Sequence, residues 1–448
     1  MPTLAPSAPA DTAMQPDPAL RDGGTVPTLV RGPGASRILP SRPLRSLAEH
    51  LDHFGPRPAA TGTRQRSALL DEVEASGLRG RGGAGFSTAV KLRAVAAGRR
   101  AVVVANGTEG EPASAKDKVL LAAAPHLVLD GVVTAAEAVG ATEAIVCIER
   151  TAVAAAGIVE RAIRERQAAG VDRVDIRLAA TPDRYVAGEA TALVHWLDGG
   201  EAKPTFALHH LADKGLGGRP TLVDNVETLA HLALIARRGG GWFRSLGTDR
   251  DPGSALVTII GKISPAVVCE LPLGTPLPAA LAAAGIDLRA VEAVLVGGYF
   301  GTWIPASLAA GLTLDSASLA TVGGSFGCGL LAALPAGTCG LTEAARVTRW
   351  LAAQSAGQCG PCVLGLPAIA DAMATVAAGD RDGRAEADLR RWLRLVDGRG
   401  ACKHPDGAAR FVASALWAFQ HDLGRHRAQG PCPDRAPLLP TPRTGGWR

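Results

Sequence analysis

A chain of 448 residues has room for about two to four domains and a large buried core. Its 47% hydrophobic and 20% charged residues read as globular, and 54 Gly with 31 Pro fall short of a low-complexity composition. The net charge of +5 comes from scattered arginines interleaved with acids and only 4% of residues are aromatic, which excludes a nucleic-acid-binding stripe.

The first 45 residues, rich in Pro, Ala and Asp, lack the apolar segment of a secretory signal and read as a disordered arm. Ala101–Ala105 is a strand-like run, followed by a Gly/Glu loop and one apolar helical stretch from Lys116 to about Val139. Ala144–Ile148 and Val174–Leu178 are further strands, separated by a helix that runs to about Gln167. Alternating strands and helices predict an α/β fold with a mostly parallel, Rossmann-like sheet over residues 46–250. Residues 251–335 change character: SALVTIIGKI, VVCELPLG and AVLVGGYFGTWI are short strands around one brief helix, a small α+β module with a hairpin at Ile263–Ala266. Residues 336–425 read as a helical bundle, with helices over Glu343–Gln354, Leu366–Ala378, Glu386–Leu395 and Ala408–Leu423, and 426–448 as a tail. No apolar run is long enough to span a bilayer, so no membrane insertion is expected.

Five segments carry chemistry. In GLRGRGGAGFSTAVK (77–91) the glycines allow a backbone to approach a ligand closely, Arg79, Arg81 and Lys91 add positive charge, and the helix that follows offers an N-terminus. The natural ligand is a phosphate-bearing cofactor; the plain alternative is a flexible loop. In VVVANGTEGEPASAKDK (102–118) a strand ends in Asn106, Glu109 and Glu111, at the sheet edge where α/β proteins bind ligands. RYVAGEATAL (184–193) repeats that arrangement with Glu189, and VDNVETL (223–229) adds Asp224, Asn225 and Thr228; helix capping alone would also explain both. Finally, SAGQCGPC (355–362) brings Cys359 and Cys362 to a tight turn, with Cys402 forty residues on. This is metal spacing, and His404 is too close to Cys402 to share one tetrahedral ion comfortably. Cys147 and Cys269 sit in strand-like runs and read as core. Eight dispersed cysteines in all suit a reducing compartment, so the protein is expected to be cytoplasmic.

Taken together and in this order, the five segments resemble the NADH-binding flavoprotein subunit of respiratory complex I and the related diaphorase subunits of NAD-linked hydrogenases and formate dehydrogenases. The resemblance covers about residues 46–425. It implies an FMN-binding Rossmann-like domain, a β-grasp domain and a helical bundle holding a 4Fe-4S cluster. Carried over, FMN contacts fall to Gly80, Arg81, Gly82, Gly83, Lys91, Asn106, Glu109, Gly188, Glu189, Asp224, Asn225 and Thr228. The nicotinamide cofactor, NADH or NADPH, would use Phe86, Glu111, Lys203 and Phe206, and Cys359, Cys362 and Cys402 would ligate the cluster. No side-chain acid or base is implied, because hydride passes directly between nicotinamide and flavin. Electrons would leave to a ferredoxin or a thioredoxin-like iron–sulfur subunit.

Four positions depart from the family. Thr108 replaces a carboxylate, Ala190 replaces the second Glu of a Gly-Glu-Glu turn, Ala94 replaces an aromatic, and Ala356 replaces the first cluster cysteine. The flavin pocket is thus better kept than the dinucleotide pocket, and the cluster is expected as 4Fe-4S, as 3Fe-4S, or not at all. Two rival readings follow: a cluster-free FMN diaphorase, and a non-catalytic flavin-binding scaffold subunit. Bleaching of a bound flavin by NADH separates the enzymes from the scaffold, and iron and sulfide content separates the two enzymes.

Overall fold

The computed structural model describes residues 28–29, 36–206, 209–261, 266–433 and 437–448. A short strand β1 (Thr28–Leu29) and helices α1 (Leu47–Phe54), α2 (Thr63–Ser76) and α3 (Thr88–Ala96) precede the first sheet. That sheet is parallel and has four strands, β2 (Val102–Gly107), β3 (Glu143–Glu149), β4 (Asp175–Thr181) and β5 (Thr221–Asn225), in the order β4-β3-β2-β5. Its crossovers are α4 (Lys116–Ala123), α5 (Pro125–Val139), α6 (Val153–Ala169) and α7 (Ala190–Leu197), and α8 (Val226–Arg238) follows β5. Val102–Ala105 are fully buried, as a central strand covered on both faces requires.

The single helix expected from Lys116 to Val139 is two helices bent by 98°. Pro125 opens the second, lacks an amide to continue the first, and biases Ala124 away from helical geometry. Gly131 then lets α5 and α8 touch: a Cβ there would lie 1.9 Å from the Leu229 carbonyl. Asp130, buried on α5, ties the layer together by accepting from His50 at 2.7 Å, Arg166 at 2.8 Å and Arg237.

The second sheet is mixed and has six strands. After α9 (Gly240–Arg244) come β6 (Ser254–Ile260), β7 (Val267–Pro272), α10 (Leu277–Ala283), β8 (Val291–Val296), β9 (Thr302–Pro305), α11 (Ala306–Ala309), α12 (Ser316–Ala320) and β10 (Leu330–Pro335), giving the order β1-β7-β6-β10-β8-β9. β6 and β7 pair antiparallel, while the turn expected at Ile263–Ala266 falls largely on 262–265, outside the described residues. Most of the expected N-terminal arm also lies outside them. Its end does not read as free chain, because the Glu270 carboxylate on β7 accepts from the amides of Arg37, Ile38 and Leu39 at 2.8, 2.9 and 3.1 Å. Cys147 on β3 and Cys269 on β7 are buried core residues.

The C-terminal helices are α13 (Gly340–Ala353), α14 (Leu366–Gly379), α15 (Arg384–Val396), α16 (His404–Ala418) and α17 (Gln420–Gln429). The last expected helix is broken at Phe419, whose ring packs where a side chain on Gly340 would stand, with a Cβ only 2.3 Å from it. A π-turn over Pro361–Gly365 prolongs α14, so, contrary to the expectation from the sequence, 361–379 is long and apolar enough on average to cross a membrane, although Asp371 interrupts it. Of its most apolar 18-residue window, 44% is buried within the protein, as in a core helix. Residues 437–448 do not trail away. Carbonyls of Leu439, Pro440 and Pro442 accept from Arg346, Tyr299 and Trp350, and the Trp447 carbonyl accepts from the Ala202 amide at 2.9 Å.

Candidate flavin and dinucleotide site

Parallel pairing sets the site. Register places Asn106 beside Asn225, and Asp224 beside Ala105, at the carboxyl edge of the sheet. The Asn106 amide donates to the Gly188 carbonyl at 2.8 Å, drawing the β4–α7 turn to the same edge. Glu189 caps α7 by accepting from the amides of Thr191 and Ala192, and Asn225 caps α8 by accepting from the Glu227 amide. Capping and site-lining are therefore not alternatives here, since both residues also face a cavity of about 400 Å³.

Of the expected flavin residues, Gly82, Gly83, Asn106, Glu109, Gly188, Glu189 and Asn225 line that cavity. The glycine loop is closed by an antiparallel bridge between Arg79 and Ser87 and by the Gly80 amide on the Phe86 carbonyl at 2.8 Å. The Arg81 amide donates to Thr228 Oγ1 at 2.9 Å, so Thr228 anchors the loop from behind. The Arg81 guanidinium is buried and reaches the Pro252 carbonyl, away from the cavity. Lys91 likewise lies beneath, with Nζ 3.1 Å from the Val223 carbonyl and 3.4 Å from Asp224. Gly80, Arg81, Lys91, Asp224 and Thr228 are thus not part of the cavity's lining; they hold the glycine loop and the end of β5 behind it.

Of the expected dinucleotide residues, Glu111 alone lines the cavity. Phe86 is about half exposed, and Phe206 is 80% exposed. Lys203 pairs with Glu201 at 2.8 Å and stands 5.2 Å from the Trp447 ring. Trp447 gave no signal in the sequence, because only the fold brings the C-terminal segment back against Lys203. Arg184 also stacks on it at 4.2 Å.

Charge at the site is dense. Lys116 is buried against Asp117 at 2.7 Å and Glu227 at 2.9 Å, and Asn225 bridges to Asp117 at 2.7 Å. Burial works against ionising Glu109, yet Lys118 and Lys116 hold its carboxyl below the usual range. Glu111 has the opposite balance. Burial pushes it up to about 7, although the Tyr299 amide at 2.8 Å and the Tyr185 hydroxyl at 3.3 Å donate to one oxygen. Its other oxygen is buried without a partner among the described residues, as expected of a carboxyl awaiting a ligand donor. Both tyrosines of the chain therefore bear on Glu111, and their scarcity was the overlooked signal.

The Glu111 shift has a testable sign. Its folded-state value lies above the ordinary 4.5, so stability falls as pH rises through the interval between about 4.5 and 7. In flavin-free protein, Glu111→Gln is expected to match wild type near pH 4.5 and to exceed it at pH 8, by at most about 3 kcal/mol in denaturant unfolding. Equal stability at pH 8 would count against a buried, costly carboxylate.

The same cavity is also lined by Cys402 and Lys403, just before α16, and by Arg410 on it. Beyond the effect of burial, Cys359 lies near enough to Cys362 and Cys402 for each of those thiols to be held up by it, but the three sulfurs do not all lie within 4.8 Å of one another. Ser355 Oγ holds the loop between them, accepting from the Gly357 amide at 3.1 Å and donating to the Cys362 carbonyl at 3.4 Å. His404 turns away, its Nε2 bonded to the Leu351 carbonyl at 2.9 Å. Cys328 lines the cavity with its thiol on the Gly297 carbonyl, and Cys339 is remote from the loop, at the other end of α13. A larger neighbouring cavity of about 670 Å³ shares Glu109, Ser114 and Tyr185 but has neither the glycine loop nor a cysteine in its wall.

Comparison with known proteins finds similarity over both the first sheet and the C-terminal helices. A family model described as the Nuo51 FMN-binding domain matches residues 73–234, and one described as the NADH-ubiquinone oxidoreductase-F iron–sulfur binding region matches 342–426. One of the NADH-quinone oxidoreductase F subunits of Rhizobium meliloti (strain 1021), the one numbered 2, is 32% identical over 388 residues, 84% of this chain and 92% of that protein. The NADH-quinone oxidoreductase F subunit of Streptomyces coelicolor (strain ATCC BAA-471 / A3(2) / M145) is 30% identical over 378 residues, 82% and 84% of the two chains. Among solved structures, an NAD+-reducing [NiFe]-hydrogenase in the H2-reduced state superposes with a TM-score of 0.78 at 29% identity, covering 90% of this chain and 67% of that one.

Proposed function

The chain belongs to the family of NADH-quinone oxidoreductase F subunits, and from that premise we propose how its own residues divide the work. The protein is an FMN and iron–sulfur oxidoreductase that takes electrons from NADH. Bound FMN supplies the exchange between a two-electron nicotinamide and a one-electron cluster. The observation that carries this reading is the shared cavity, lined both by Gly82, Gly83 and Asn225 and by Cys402. A flavin held there would share its cavity with an expected cluster ligand.

In this reading the Gly82–Gly83 backbone receives the phosphate end, where no side chain blocks approach. Asn106, Glu189 and Asn225 orient the ring system and ribityl hydroxyls. Asp224, Thr228, Arg81 and Lys91 act at one remove by fixing the loop and strand end. Glu111, with its pKa near 7, can donate as well as accept toward the nicotinamide's polar groups. The aromatic faces of Phe86 and Phe206 are exposed for stacking, and Lys203 supplies charge for the dinucleotide phosphates.

Ala94 and Ala190 withdraw two partners, so the remaining ones carry more of the dinucleotide's binding. Phe206→Ala is expected to raise the apparent KM for NADH about five- to tenfold while leaving FMN content unchanged, a loss in the range of one aromatic contact. An unchanged KM would remove Phe206 from the pocket.

Electrons leave to a partner iron–sulfur protein, for which a ferredoxin or a thioredoxin-like subunit is the chemistry we favour. Eight dispersed cysteines with no disulfide among them support a cytoplasmic setting. Ala356 in place of a cluster cysteine favours one second reading, the cluster-free FMN diaphorase. Anaerobically purified protein decides between them. NADH should bleach a flavin band, and iron with sulfide should accompany it; flavin reduction without iron selects the diaphorase, and no bleaching selects a scaffold role.

A further inference from the structure

A second cluster of metal-ligating side chains lies apart from the flavin cavity and from the three expected cluster cysteines. Cys339, His426 and Cys432 are all buried, and their ligand atoms lie within 4.8 Å of one another. Among the described residues they form the one group of three or more His, Cys or carboxylate side chains that meets this condition. Cys339 caps the start of α13, whereas the Ser355–Cys362 loop follows its end, about 20 Å away along a 14-residue helix. We propose that Cys339, His426 and Cys432 bind a zinc ion, independently of the iron–sulfur cluster and of the flavin.

The donor set is what zinc takes: two sulfurs and one imidazole nitrogen. Tetrahedral bonds of about 2.3 Å to sulfur and 2.0–2.1 Å to nitrogen put ligand atoms roughly 3.5–3.8 Å apart. His426 Nε2 already stands 3.4 Å from Cys339 Sγ and 2.9 Å from Cys432 Sγ. Small movements therefore close the site. The imidazole is also oriented for it. Nδ1 lies 2.9 Å from the Ala377 carbonyl, which can only accept, so Nδ1 carries the proton and Nε2 turns its lone pair to the two sulfurs.

The outer contacts suit thiolates. Cys339 Sγ accepts from the amide and hydroxyl of Thr342 at 3.4 and 3.2 Å, and Arg425 places a guanidinium nitrogen 2.6 Å from Cys432 Sγ. The Cys432 amide donates to His426 Nε2 at 3.2 Å, a bond that the ion would replace. Water completes the coordination. The consequence is mechanical: residues 437–448 start just past Cys432 and run back to Lys203, so the ion would clamp the root of the segment that brings Trp447 to the dinucleotide side.

The test uses the full-length protein. Elemental analysis after purification without chelators should find about one zinc per chain, retained when Cys359, Cys362 and Cys402 are all changed to Ser. Cys432→Ser and His426→Gln should each lower zinc at least tenfold while flavin content stays. Cobalt(II) added to zinc-depleted wild type should give the intense visible bands and sulfur-to-metal charge transfer of tetrahedral thiolate ligation. If a variant misfolds, the cobalt spectrum of wild type with its iron–sulfur cluster intact, where Cys359, Cys362 and Cys402 are already occupied, still decides. Zinc at background in wild type, cobalt without thiolate bands, or a Cys339–Cys432 disulfide in freshly isolated protein would each overturn the proposal.

Discussion

Gly83→Val is expected to fold normally and to purify with less than about a tenth of the wild-type flavin. Gly83 has φ +116°, a backbone region that a β-branched residue strongly disfavours. Among the described residues no atom lies within 4 Å of a Cβ built there, so the substitution creates no clash in the core. The cost is instead conformational, about 1–3 kcal/mol, and the loop can relieve it by moving. The loop is held mainly by the Gly80 and Arg81 amides, and the strand behind it does not depend on Gly83. Relaxation would pull the Gly82–Gly83 backbone away from the phosphate position, and about 1.4 kcal/mol already means a tenfold loss of affinity. Circular dichroism and melting temperature should be near wild type. Normal flavin occupancy in the folded variant would take the loop out of the site.

The second large effect is expected at Ala356. Three thiolates leave one iron of a cubane without a cysteine, and that iron should be the first lost in air. Ala356 is nearly buried in a loop already fixed by Ser355, so a cysteine there adds one sulfur without remodelling the chain. Ala356→Cys should raise iron from about three towards four per chain and slow bleaching in air several-fold, measured on anaerobically purified protein. Cys359→Ser serves as the opposite control, with iron and sulfide falling together. Wild type with neither iron nor any cluster signal in electron paramagnetic resonance would rule out the labile cluster and leave the diaphorase.

Much of this protein was legible in its residues. Valine runs at 102–104, alternating helices and the glycine-rich 77–91 segment specify a parallel sheet with a ligand at its carboxyl edge, because strand and helix periods and glycine's backbone freedom are local properties. The cluster motif at 355–362 was equally plain, since tight Cys spacing is itself the signal. Local pattern misled where one residue overrides a long apolar stretch, as Pro125 does in breaking 116–139 and Phe419 in ending α16 against Gly340.

What only the tertiary structure decided is the division between residues that face the cavity and residues that hold it. Arg81 and Lys91 look like phosphate ligands by charge, yet Arg81 is buried towards Pro252 and Lys91 bonds the end of β5. Glu111 looks like one acid among several, yet burial in the folded chain raises its proton affinity against the opposing hydrogen bonds from Tyr185 and Tyr299. Cys339 looks unrelated to His426 and Cys432, about ninety residues further on, yet the three meet inside 4.8 Å. Sequence sets what each segment can form locally; which side chains then meet depends on long-range packing, because burial, register and chain return are properties of the whole fold.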